Sequence, residues 1–101
     1  MDLERITQRL HAIRDQNDWQ RFHSPKNLAM AASVEMAELV EIFQWLGEDE
    51  SRRLPAERLE HVGQEVADIL MYLTLLCGEL RIDMDAALQA KLADNERRFA
   101  R

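Results

Sequence analysis

Glu35-Met36-Ala37-Glu38, answered further along by Glu65-Val66-Ala67-Asp68, is the stretch on which the reading of this chain turns. Each pair sets two acids three residues apart within an apolar run, and that spacing puts both members on one side of a helix. Met30, Val34, Ala37 and Ile42 surround the first pair, and Val66, Ile69, Leu70 and Leu73 the second. Both stripes thus border surface expected to be buried. Four carboxylates drawn together there would repel one another, and some would take up protons unless a cation offset them. A metal site is the expectation. All-oxygen ligation selects a hard cation, and Mg2+ is commonly held by carboxylates together with substrate phosphates.

The rest of the chain sets limits on that site. Its 101 residues, 47% of them hydrophobic, fit one domain over residues 1–101 with a single core. A formal charge of −6 without any Lys/Arg run argues against a nucleic-acid backbone as partner and suits a cation instead. The one cysteine, Cys77, lies in an apolar run and fits a reducing compartment. The longest nearly apolar run, Val66 to Cys77, is shorter than the roughly 20 residues that span a bilayer, and Asp68 interrupts it. With no signal-peptide pattern, the expectation is a soluble cytoplasmic protein without a membrane partner.

Periodicity predicts an all-α domain of the four-helix-bundle type, with helices over residues 2–15, 25–46, 55–78 and 84–99. Leu3, Ile6, Leu10 and Ile13 mark the first by their three- and four-residue spacing, and His11 lies beside that stripe, where a histidine ordinarily packs. Asp15-Gln-Asn-Asp18 is turn chemistry leading into Trp19, Phe22 and His23. Ser24 and Pro25 are an N-cap and a first-turn proline, and Gly47 is expected to end the second helix in the left-handed conformation. On that helix Glu35, Glu38, Ile42 and Trp45 share one quadrant, while Glu41 turns toward water. Residues 48–53 are charged and aperiodic and predict a solvated loop. Pro55 opens the third helix, which is apolar nearly all round between Ile69 and Cys77 and so predicts a subunit interface. Asp83 caps the fourth helix, which is expected to close the domain. A di-iron bundle would need Glu-x-x-His, and His11, His23 and His61 follow Gln8, Gln20 and Arg58 at that spacing.

The two acid pairs resemble the motif of the all-α nucleoside triphosphate pyrophosphohydrolases, the MazG-like superfamily. The likeness extends through Asp18-Trp19-Gln20-Arg21-Phe22-His23-Ser24-Pro25-Lys26-Asn27-Leu28, Glu41-Ile42-Phe43-Gln44-Trp45 and Ala67-Asp68-Ile69-Leu70-Met71-Tyr72-Leu73 to the tail from Lys91 to Phe99. Over nearly the whole chain it is similar to the dCTP pyrophosphatase branch and its bacterial relatives. The resemblance implies Mg2+-dependent hydrolysis of a nucleoside triphosphate between the α and β phosphates, giving the monophosphate and pyrophosphate and clearing unwanted nucleotides. It implies that Glu35, Glu38, Glu65 and Asp68 hold Mg2+, one of them also acting on the attacking water; Glu38 is the candidate for that role, as the member of the first pair nearer the centre of the Glu35 to Trp45 stripe. It places His11, Trp19 and Trp45 around the base, Tyr72 near the sugar, and Lys91 and Asn95 near the phosphates, reached from a neighbouring subunit of a homodimer or homotetramer. A tighter spacing from His11 to Trp19 and a shorter loop from Glu48 to Arg58 depart from the branch and leave the preferred base open.

The competing expectation is a non-catalytic helical interaction or regulatory module whose acids are remnants or form buried pairs with Arg and Lys. Against it, no basic residue is found within one turn of either acid pair on the same face, so four acids would go uncompensated.

Overall fold

The computed structural model describes residues 1–100. Helix α1 spans Leu3–Gln16, α2 Pro25–Phe43, α3 Glu48–Ser51, α4 Ala56–Leu80 and α5 Met84–Arg98, and one 3-10 turn, Gln20–Phe22, follows α1. No strand is present among the described residues, so the all-α expectation holds.

Caps fix most of the boundaries. Asp2, Ser24 and Asp83 each accept the backbone N–H three residues on, at 3.0 to 3.1 Å, and so satisfy one orphan donor at the start of α1, α2 and α5. Gly47 does something other than expected. Helix α2 has already ended at Phe43, and Gly47, at φ −75°, is the N-cap of α3, a helix in the segment expected to be loop. Its N–H donates to the Glu50 side chain at 3.0 Å, the backward half of a capping box. The left-handed stop falls to Arg81 instead (φ 56°), which ends α4 after Leu80 while the Ile82 N–H donates to the Cys77 carbonyl at 2.8 Å.

Packing is dominated by α2 against α4, with α1 laid across α4 and α5 touching its neighbours only at isolated points. The α2–α4 pair is antiparallel, since Glu35 on α2 lies beside Glu65 on α4 while Leu46, past the end of α2, shares a groove with Pro55 and Arg58 at the start of α4. Helix α1 meets the other half of α4: Arg14 reaches Glu79 at 3.4 Å. Among the described residues the buried apolar side chains are few, namely Leu28, Ala32 and Leu75. Two expectations about packing therefore change. The stripe flanking the first acid pair is open in the protomer, with Met30 and Val34 exposed, and α5 leaves Leu88, Leu92 and Phe99 in solvent rather than closing the domain. Periodicity identifies a helix's apolar face but not what covers it.

Candidate metal and nucleotide site

Where α2 and α4 run side by side, one carboxylate oxygen from each of Glu35, Glu38 and Glu65 lies within 4.8 Å of the others. The three side chains differ in exposure. Glu65 is buried, Glu35 half-buried and Glu38 exposed, so the cluster opens to solvent on the α2 side. Glu65 Oε2 is shut away from solvent and has no hydrogen-bond partner among the described residues, an arrangement that costs free energy unless something occupies the space it faces.

The acids respond to one another as crowded like charges do. The Glu35 carboxyl is held above its ordinary range, first because its protonated form hydrogen-bonds to Glu65, then by desolvation and by the charges of Glu65 and Asp68. Glu38 is also held up, first by the charge of Glu35 and then by a hydrogen bond to it, with a smaller push from Glu41. A divalent cation reverses both effects, because it stabilises the ionised form of every carboxylate it touches. Three converging carboxylates, one of them with a buried and unpartnered oxygen, fit a hard cation that keeps further positions for water or phosphate.

The sequence-level candidates divide by place. Asp68 is exposed and outside the trio, although its charge still reaches Glu35. Trp45, 87% exposed in the turn after α2, lines a groove of about 450 Å³ with Glu38, Glu41, Ile42, Leu46, Arg58 and His61. An aromatic face left in solvent beside an acid cluster is available to stack on a planar ligand. Trp19 is half-exposed in the loop after α1, its ring centroid 6.5 Å from that of His23. His11 packs against α4 at Gly78, where a β-carbon would stand 3.4 Å from its Nε2, and that nitrogen is buried without a partner. Thirteen positions separate Gly78 from Glu65 on α4, about 20 Å at 1.5 Å per residue. Within one protomer, then, His11 is not beside the acids. Tyr72 is half-buried on α4. Lys91 and Asn95 lie on α5, and Lys91 is 3.9 Å from Asp94.

His61 is the residue that sequence reasoning missed. Its Nε2 is 3.2 Å from Glu65 Oε1, so a basic side chain does stand within one turn of the second acid pair, on its own face. The signal is present in the spacing from His61 to Glu65, four residues on a helix. Glu-x-x-His places the histidine after the acid, whereas here it precedes it.

Comparisons with known proteins agree with this picture. Residues 30–100 match the profile of the MazG-like family. The dCTP pyrophosphatase 1 of Bos taurus is 39% identical over 95 residues, covering 90% of this chain and 56% of the relative, and that of Homo sapiens is 38% identical over 95 residues, covering 90% and 55%. The chain therefore spans about half the length of these relatives. Among solved structures, a pyrophosphatase from Archaeoglobus fulgidus DSM 4304 superposes with a TM-score of 0.92 at 38% identity, covering 100% of this chain and 94% of the other.

Proposed function

The chain belongs to the MazG-like family, and from that premise we propose that it hydrolyses a nucleoside triphosphate between the α and β phosphates, releasing the monophosphate and pyrophosphate. The observation that carries the reading is the convergence of carboxylate oxygens of Glu35, Glu38 and Glu65 at the α2–α4 seam, Glu65 also holding a buried, unpartnered oxygen.

Glu35, Glu38 and Glu65 would hold Mg2+, with Asp68 beside them. When bound, the ion supplies positive charge to the triphosphate oxygens as negative charge develops on them. Other roles belong to the chain itself. Glu38, the exposed member of the trio, is placed to accept a proton from the attacking water. Trp45, on the wall of the same groove, offers a stacking face to the base, a contact commonly worth about 1–3 kcal/mol. His11 and Trp19 enclose the base from the α1 end, Tyr72 meets the sugar, and Lys91 and Asn95 meet the phosphates. Since His11 packs against the far end of α4 and α5 touches its neighbours only at isolated points, the complete site is shared between subunits of a homo-oligomer. Unwanted or modified nucleotides are the substrate class, and a stacking pocket by itself leaves the preferred base open.

A screen of canonical and modified nucleoside triphosphates with Mg2+ tests the proposal. The expected products are the monophosphate and pyrophosphate in equal amounts, with no release in EDTA. Orthophosphate as first product, or turnover indifferent to EDTA, overturns it.

A further inference from the structure

We propose that His61 is a positioning residue of the acid cluster: its Nε2–H holds one oxygen of Glu65 so that the other is presented to a divalent cation. This rests on the metal-centred reading above and adds to it a residue outside the four acids. The hydrogen bond is 3.2 Å long and joins unlike environments, the imidazole half-exposed at 53% and the Glu65 side chain at 9%. A helical side chain leans back over the turn before it, so Glu65 lies over the position of His61, and the contact is built into the register of α4.

Its effect follows from what each oxygen meets. Oε1 receives the imidazole N–H, whereas Oε2 is buried with no partner among the described residues. A glutamate has three rotatable side-chain bonds, and the metal-free cluster, with carboxylate oxygens of Glu35, Glu38 and Glu65 within 4.8 Å of one another, repels it. Left alone, the Glu65 carboxylate would swing away from its like-charged neighbours. The bond from His61 ties it in place before any cation arrives, and outer partners of this kind commonly change metal affinity by about 10–100-fold. The residue type matters as well. Imidazole donates a hydrogen bond while neutral, so it can orient the carboxylate without cancelling the negative charge that draws the cation. Lysine or arginine at this place would bring a permanent charge and compete with the ion. Among the described residues, neither type forms an ion pair with Glu35, Glu38, Glu65 or Asp68.

The experiment compares the full chain with His61→Ala and His61→Gln, the glutamine amide being able to donate from about the same place as Nε2. Mn2+ binding is read directly from the spectrum of the free ion, the Mg2+ dependence of the melting temperature gives a second measure, and kcat and KM are taken at saturating Mg2+. His61→Ala is expected to weaken Mn2+ binding about tenfold or more while melting like the parent in EDTA and keeping the parental KM once metal is saturating. His61→Gln is expected to recover most of the lost affinity. Unchanged Mn2+ affinity in His61→Ala overturns the proposal, as does a loss that glutamine does not repair. A raised KM at saturating metal with unaltered metal binding would make His61 a substrate contact and overturn it too. A parent protein that binds no Mn2+ would remove the proposed function along with this inference, whereas a parent that binds and a His61→Ala variant that binds equally well remove the inference alone.

Discussion

Glu35 and Glu38 hold protons above the ordinary carboxylate value of 4.5, Glu35 first through the hydrogen bond its protonated form makes to Glu65 and Glu38 first through the charge of Glu35. The consequence for stability has a definite sign. A carboxyl whose folded pKa is raised binds more protons in the native than in the unfolded chain, so its contribution is favourable at low pH and is lost as pH rises through the raised value. In EDTA, Glu35→Gln should therefore melt like the parent near pH 4 and progressively above it as pH climbs toward 8, the gap closing when Mg2+ is added to the parent. Parallel pH melts of the two proteins check this, and a gap that does not grow with pH would mean that the acids are not crowded. Glu38→Gln separates stability from chemistry. It should melt no lower than the parent in EDTA, yet lose at least about two orders of magnitude in kcat, the scale of one acid–base or electrostatic element. Glu41→Gln is the comparison. It lies outside the converging trio, and its small push on Glu38 should leave turnover near parental.

The helices themselves were largely legible, because caps and periodicity are local. Ser24 and Pro25 announce α2, and Asp83 announces α5, through hydrogen bonds that span three residues. Helix α3 was not, since four polar residues have no periodicity to read, and its one sign was the spacing from Gly47 to Glu50. The end of α2 differs for a related reason: glycine, commonest just past a helix C-terminus, can also serve as an N-cap, as Gly47 does for α3. At the site, the acid spacing picks out four carboxylates, of which Glu35, Glu38 and Glu65 converge while Asp68 stands outside, and the bond from His61 is legible only as its four-residue spacing to Glu65. Trp45 belongs to this scale, because the early end of α2 places it in a turn with its ring in solvent. Trp45→Ala removes almost no burial and should leave the melting temperature unchanged. Stacking holds ground state and transition state about equally, so KM should rise more than kcat falls. Steady-state kinetics decides it, and an unaltered KM for every triphosphate would move the base elsewhere.

At the scale of the molecule, the protomer is more open than a folded chain of its mass should be. Its surface is 8125 Å², where about 5,900 Å² is expected for a compact monomer, and its radius of gyration is 16.4 Å against about 13 Å. An excess on the order of 2,000 Å² is what one subunit of an obligate homodimer covers. The surface in question is apolar: Leu88, Leu92 and Phe99 on α5, Leu70 and Met71 on α4, and Ile13 on α1 are all open. Light scattering at micromolar concentration should accordingly give a mass of at least two chains. Because Lys91 lies on α5, which touches its neighbours only at isolated points, assembly and catalysis can be tested together by mixing subunits. Lys91→Ala and Glu38→Gln should each be nearly inactive alone. If Lys91 serves the acids of a neighbouring copy, unfolding and refolding an equal mixture yields mixed dimers, about half of the total, in which one of the two sites has both native residues. Activity should then return to about a quarter of the parental value, a recovery that neither protein shows by itself and that unmixed samples at the same total concentration cannot reproduce. A mixture that forms dimers yet regains nothing would mean that Lys91 does not act across the interface, and that the phosphates are met by residues of the same protomer that carries the acids.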